Sequence, residues 1–294
     1  MANFINPFTD VGFKRIFGQE ISKPLLIDFL NNLLEGERHI VDLTFLDKEQ
    51  IPTQKDERSL IYDVYCEIDN GEHIIVEMQN KYQPYFKNRS IYYISKSIIQ
   101  QGERGANWFY DVKAVYLVAF LNFRLQDISD EFRTDVGLVN LRTHEPFSDK
   151  FRLIYLQLPL FQKEAEECDT DFERWIYVLK NMETLNRLPF EAQNSVFQKL
   201  ASITNVAALT QQERRIYDES LRQYRDTVIV MEGQRAEGRA EGRAEGRAEG
   251  LAEGMAKGQV DMAKNIARWM KSKAMPISDI VEATHLSPQE IESL

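Results

Sequence analysis

Apolar positions along residues 1–165 switch between the helical and the strand period. Phe13, Ile16 and Phe17 recur at helical spacing after Asp10, a residue type suited to capping a helix start, so a short helix is expected there. A second helix is expected from Ser22 and Pro24 to Gly36, with Leu25, Leu26, Phe29, Leu30, Leu33 and Leu34 as one apolar stripe. Strand-like runs follow at residues 41–46, 60–68, 73–79, 113–123 and 151–158, interrupted by a helical pattern over 84–101. The expected order is α, three strands, α, then further strands.

Beyond residue 165 the strand period disappears. Trp175, Val178, Leu179 and Met182 mark one helix face, residues 185–189 break it, and Val196, Leu200 and Ile203 begin another stripe. Residues 232–258 then repeat the motif Glu-Gly-Arg-Ala. Three of its four residue types favour helix, but each glycine costs about 1 kcal/mol relative to alanine, and like charges fall at i,i+4. A weak helix acting as a spacer is expected, with close helix association through the glycines as the other reading. Near the end, Ser287-Pro288-Gln289-Glu290 is a capping box with proline at the first helical position. Short helices around 277–283 and 288–294 suggest a helix-turn-helix-like pair. Few basic residues lie there, so a helical tail or dimer handle is an equal reading. Four segments result: an α/β core at 1–165, a helical extension at 166–231, a repeat linker at 232–258 and a small helical tail at 259–294.

The chemistry concentrates at residues 60–81, LIYDVYCEIDNGEHIIVEMQNK. Leu60, Tyr62, Val64, Cys66 and Ile68 on one strand, with Ile74, Val76 and Met78 on the next, form the core-facing set, and Asp63, Tyr65, Glu67, Ile75, Glu77, Gln79 and Lys81 fall on the opposite face. If Asp69-Asn70-Gly71 forms a three-residue turn with Gly71 left-handed, Asp63 lies opposite Glu77. A two-residue Asn70-Gly71 turn would slip the register by one and send the two carboxylates to different faces. The first register pairs apolar with apolar and is the one expected. Two carboxylates about 5 Å apart repel and require a cation to stay ionised together. A divalent ion such as Mg²⁺ satisfies that need and can activate a water for attack on a phosphodiester. A solvated polar strand face is the alternative.

Charge sharpens this picture. The chain of 294 residues carries a net charge of −10, which excludes a generally basic DNA-coating protein but not a local basic groove. Residues 79–104 run the other way: Lys81, Lys87, Arg89, Lys96 and Arg104 stand against the single acid Glu103, interleaved with Tyr82, Tyr85, Phe86, Tyr92 and Tyr93. Such a mixture suits phosphate contacts with some stacking, while some of the tyrosines would pack the helix onto the sheet. Arg89 and Lys96 lie seven apart, hence on one helix side, and Arg89 is the favoured phosphate-binding residue. Cys66 and Cys168 match neither a disulfide framework nor a zinc motif. With no signal-peptide pattern at the start and no apolar run long enough for a bilayer, a soluble cytoplasmic protein is expected.

At this point the residues resemble a known family. Asp63…Glu77-Met78-Gln79, then Arg89…Tyr92-Tyr93 and Gln101-Gly102, look like the PD-(D/E)XK nuclease superfamily, and more narrowly its transposase-like branch, the recombination-promoting nuclease (Rpn/YhgA-like) family. The opening 10–18, DVGFKRIFG, and the glycine–glutamate–arginine repeat are also similar to that branch. The resemblance implies an α/β restriction-endonuclease-like core, a mixed sheet flanked by helices in the order α-β-β-β-α-β, followed by an all-helical C-terminal region. It implies Mg²⁺-dependent cleavage of DNA, with Mn²⁺ as a possible substitute, in a recombination or mobile-element setting. By the same resemblance Asp63 and Glu77 would be metal ligands, joined by the Met78 carbonyl. Gln79 stands where the superfamily pattern has lysine, so it can orient water or phosphate but supplies no charge. Lys81, Arg89 and Lys96 are candidate replacements on the DNA. Glu20, a possible extra acid of the first helix, reads better as solvated, and His73 reads as surface. Self-association through the helical C-terminal region is expected, and no membrane partner. The alternative is a catalytically weak or inactive nuclease-fold protein that binds DNA or protein as an oligomeric module.

Overall fold

The computed structural model describes residues 3–50, 60–102, 109–125, 128–190 and 194–294. They form two units, Met1–Val228 and Ile229–Leu294. The first unit opens with α1 (Asp10–Phe17) and α2 (Lys23–Leu33). Then come β1 (Leu43–Phe45), β2 (Glu49–Gln50), β3 (Leu60–Ile61), β4 (Val64–Ile68) and β5 (His73–Gln79). After α3 (Phe86–Gln100) follow β6 (Val115–Leu121), β7 (Arg133–Val139), β8 (Pro146–Gln157), α4 (Asp171–Asn181), α5 (Ser195–Thr204) and α6 (Gln211–Ser272). The expected alternation of helix and strand is present. Thr9, not Asp10, caps α1: its hydroxyl accepts the Gly12 N–H at 2.9 Å, leaving Asp10 as the first helical residue.

Among the described residues the main sheet has six strands in the order β1-β4-β5-β6-β8-β7. The central neighbours β5, β6 and β8 run parallel, and the outer pairings are antiparallel. Every residue of β6 is buried, as a parallel strand covered on both faces requires. On one face Val64, Cys66, Ile74, Val76, Val118, Phe120 and Ile154 pack against α1, α2, α4 and α5. Aromatic rings fix that layer: Phe17 and Phe29 lie 6.0 and 5.2 Å from Phe120, and Trp175 lies 5.9 Å from each of them. Burying one such ring contributes about 1.5–3 kcal/mol, and a ring pair about 0.5–1.5 more.

The opposite face is also a core. Tyr65, Ile75, Val115, Leu117, Leu153 and Tyr155 lie beneath Phe86, Tyr93 and Ile94 of α3. The odd-numbered hairpin positions therefore face a helix rather than solvent.

Residues 60–68 are not one strand. β3 pairs with β2 as a separate ribbon, the chain breaks at Tyr62 and Asp63, and β4 starts at Val64. The Tyr62 N–H is taken by the Lys48 carbonyl at 3.0 Å. The break moves Tyr62 off the even-numbered face: its ring packs on Tyr65 and Tyr93 at 5.0 and 5.1 Å, in the layer under α3. β7 is a strand the pattern does not announce, because its outer residues are exposed and carry no alternation.

The repeat lies wholly inside α6 and is helical. Alanine, glutamate and arginine favour helix, and the amphipathic stretches on either side spare the repeat the cost of its own nucleus. In the second unit, Ala267 and Met270 of α6 pack with Ile280 of α7 (Ile277–Thr284), Leu286 and Ile291 of α8 (Pro288–Ser293). Ser287 and Glu290 form the expected capping box. Among the described residues, no helix is long and apolar enough to cross a membrane.

The hairpin register is the one that burial favours: Val64 faces Val76 and Glu67 faces His73. Gly71 adopts φ +83° and donates to the Ile68 carbonyl at 2.8 Å, while Ile68 donates to the Glu72 carbonyl at 2.9 Å. A side chain at 71 meets only the distant Lys113 stem, so the requirement is conformational. Gly71→Ala should lower the unfolding free energy in urea by about 1–2 kcal/mol, and Gly71→Asn by less. Equal stability of Gly71→Ala and wild type would contradict this turn.

Candidate active site

The site forms where β4 has ended and β5 continues. Asp63 sits in the break, just before the first residue of β4, so no ladder bond reaches its level. Its Oδ2 instead accepts the Met78 N–H at 2.8 Å, and its own N–H donates to Glu77 Oε1 at 3.3 Å. These two bonds hold both carboxylates at one edge of the sheet. In a strand the N–H and C=O of one residue point to the same edge. The Met78 carbonyl therefore faces the Asp63 edge, whereas Gln79 turns its carbonyl the other way, to the Asn122 N–H at 2.9 Å.

Glu77 is 3% exposed, although it is a charged residue type. Burial, and next the charge of Asp63, push its carboxyl well above the usual range. Burial also raises Asp63, opposed by the Met78 N–H and by the positive charges of Lys14 and Arg89. Without a further cation the pair holds on to a proton. Among the described residues no group of three or more His, Cys, Asp or Glu side chains is arranged to cage a metal. The donor set is two carboxylates and one backbone carbonyl. That set fits an ion such as Mg²⁺, which keeps several waters and takes one or two carboxylates.

The remaining candidates divide. Gln79 donates from Nε2 to Glu77 Oε2 at 3.3 Å, so it is part of the cluster. The positive charge of Arg89 acts on both carboxylates. The guanidinium carbon lies 4.9 and 5.5 Å from the Phe86 and Tyr93 ring centres, and Nη1 donates to Gln83 Oε1 at 2.6 Å. Its Nε is buried without a partner among the described residues.

Lys81 does not continue the strand face, because β5 ends at Gln79 and Lys81 is exposed beyond it. Lys96 is carried away from the carboxylates. Its neighbour Ser97 contacts Tyr65 and His73 at 2.9 and 3.2 Å, four residues, or about 13 Å, along β5 from Glu77. Glu103 and Arg104 lie outside the described residues. Glu20 is exposed. His73 is half-buried rather than fully on the surface: its Nδ1 lies 2.9 Å from the Tyr65 hydroxyl, and burial lowers its pKa.

Pattern reading missed the contribution of α1. Asp10 and Lys14 form an ion pair at 2.6 Å, and both act on Asp63. The signal was present in the segment 10–18, but spacing alone does not show which way an exposed helical charge points. Beside Asp10, Asn80 donates to the Phe8 carbonyl at 2.6 Å, and its Oδ1 is buried without a partner among the described residues.

The raised Glu77 carboxyl predicts a pH effect in divalent-free buffer. Below about 4.3, the ordinary glutamate value, folded and unfolded chains both carry the proton and nothing is lost. Above it the unfolded chain ionises while folded Glu77 resists, so stability falls with pH until the folded group ionises as well. Glu77→Gln should remove that slope. Its Tm should match wild type near pH 4 and exceed it by about 2–8 °C near pH 8. Parallel Tm–pH curves for the two proteins would contradict the assignment.

A search of curated proteins and a search of solved structures each return no match. A family model, described as PD-(D/E)XK nuclease family transposase, matches residues 7–234. The match covers more than half of the chain, including α4, α5 and the start of α6. The chain belongs to the PD-(D/E)XK nuclease family transposases.

Proposed function

We propose that the protein is a divalent-metal-dependent endodeoxyribonuclease, acting in the cytoplasm in a recombination or mobile-element setting. The observation that carries this reading is the pair of buried Glu77 and half-buried Asp63, bonded to each other's strand through the Asp63 and Met78 N–H groups. Asp63, Glu77 and the Met78 carbonyl would hold Mg²⁺, or Mn²⁺ in its place. The bound ion would supply an acidified water and a neutralising charge at the phosphate.

The chain's own groups do the rest. Gln79 orients water or a phosphate oxygen through its amide. Arg89, held against Phe86 and Tyr93, offers its remaining N–H groups to the scissile backbone. Tyr82, Tyr85 and Tyr92 are exposed along the same region and provide faces for bases, with Lys81 as a nearby phosphate contact. The second unit, with Leu251, Met255, Met262 and Trp269 exposed on α6, is the proposed element of self-association.

One observation favours a second reading. Gln79 is engaged on Glu77 and carries no charge, which suits a catalytically weak protein that binds DNA or protein as an oligomeric module.

Supercoiled plasmid separates the two. Wild-type protein with Mg²⁺ should nick it, and chelation should stop the reaction. Asp63→Ala and Glu77→Ala should each reduce the rate by at least about 100-fold, the usual scale for removing an electrostatic or acid–base group. Equal cutting by all three would mean a contaminant and sink the catalytic reading. No cutting, combined with a salt-sensitive DNA shift, would establish the binding module.

A further inference from the structure

The cluster holds a further cation that no step above uses. Lys48 lies between β1 and β2, and its carbonyl takes the N–H of Tyr62, the residue directly before Asp63, at 3.0 Å. This bond extends the β2–β3 ribbon, in which Glu49 faces Ile61, by one residue pair. The backbone of Lys48 is thus tied beside the break that makes the site. Its ammonium ends against the last turn of α1. A side-chain carbon at Gly18 would stand 3.3 Å from Nζ, so the bare glycine leaves that space to the lysine. Gly18 in turn donates to the Lys14 carbonyl at 2.8 Å, which places Lys48 next to Lys14.

The two lysines differ in one respect. Lys14 is neutralised by Asp10 at 2.6 Å. Lys48 is half-buried and has neither a hydrogen bond nor an ion pair from its ammonium among the described residues. Burial, and then the positive charge of Lys14, lower its pKa, while Asp10 and Asp63 raise it. A partly desolvated cation in the field of Asp63, without a close counter-ion among the described residues, is placed to meet an anion brought by a ligand. Arg89 acts on both carboxylates from α3, and Lys48, with its ammonium at the end of α1, acts on Asp63.

Resting on the nuclease reading above, we propose that Lys48 contacts the scissile phosphate and supplies the positive charge that Gln79 lacks. In hydrolysis a water oxygen forms a new bond to phosphorus while one phosphorus–oxygen bond to the sugar breaks. The water gives up a proton to solvent, and the leaving sugar oxygen takes one from solvent. Lys48 keeps its proton and balances the charge that grows on the non-bridging oxygens. Sequence spacing gave no sign of this residue, because the element that would carry a lysine on β5 carries Gln79 instead.

The test uses the full chain, Lys48→Met and Lys48→Arg, with a labelled DNA duplex. Single-turnover cleavage is measured in Mg²⁺, duplex affinity by anisotropy in Ca²⁺, and Tm with and without Mg²⁺. Lys48→Met should lose at least about 100-fold in cleavage rate, with affinity within about 3-fold of wild type and the Mg²⁺-induced rise in Tm retained. Lys48→Arg should recover at least about 10-fold of the loss, which a merely structural role would not produce. Cleavage by Lys48→Met at the wild-type rate overturns the role of Lys48 and leaves the nuclease reading standing. So does loss of the Mg²⁺-induced rise in both variants, which would make Lys48 a scaffold for the carboxylates. Wild-type protein that never cuts overturns both readings together.

Discussion

A buried glutamate held beside a half-buried aspartate is the constraint on which this structure turns. Asp63 and Glu77 come together because β4 stops one residue short of Asp63, so the Met78 N–H bonds a side chain instead of a neighbouring strand. At an effective dielectric near 20, two like charges about 4 Å apart repel by about 4 kcal/mol. Burial adds a desolvation cost to each. A folded domain gains little from such a pair, and a hydrophobic pair would serve the fold better. The arrangement makes sense as a site that is incomplete until a cation joins it.

The surrounding elements follow from that requirement. α3 lays Phe86 and Tyr93 over the odd-numbered face, which excludes water from Glu77 and gives Arg89 two rings to lie against. α1 brings Lys14 to Asp63 from the other layer. A net charge of −10 on the chain would repel DNA broadly, so the proposed DNA affinity would have to come from these few local cations and from a bound ion. Binding of that kind weakens steeply with salt.

How much of this was legible in the sequence depended on whether a residue took part in a periodic pattern. The register was legible, since Gly71 and the alternation of Val64, Cys66, Ile74 and Val76 agree on it. The pairing of Asp63 with Glu77 followed, although the bonds that hold it are side chain to backbone rather than strand to strand. The break at Tyr62 was not legible, because alternation runs smoothly through it and the cause lies in the distant Lys48 carbonyl. Lys48 itself belongs to no periodic element. β7 was missed because an exposed edge strand need not alternate. The repeat was read as a weak helix from its glycines, and flanking helix on both sides makes it continuous.

The central claim is that Asp63, Glu77 and the Met78 carbonyl form one cation site. A crystal of the full chain grown at pH 8 in Mn²⁺, with anomalous scattering recorded at the manganese edge, tests it directly. The account predicts one strong peak within about 2.0–2.3 Å of an oxygen from each of the three groups, and no peak there in Glu77→Gln. Manganese bound elsewhere while this edge of β5 stays empty would contradict it.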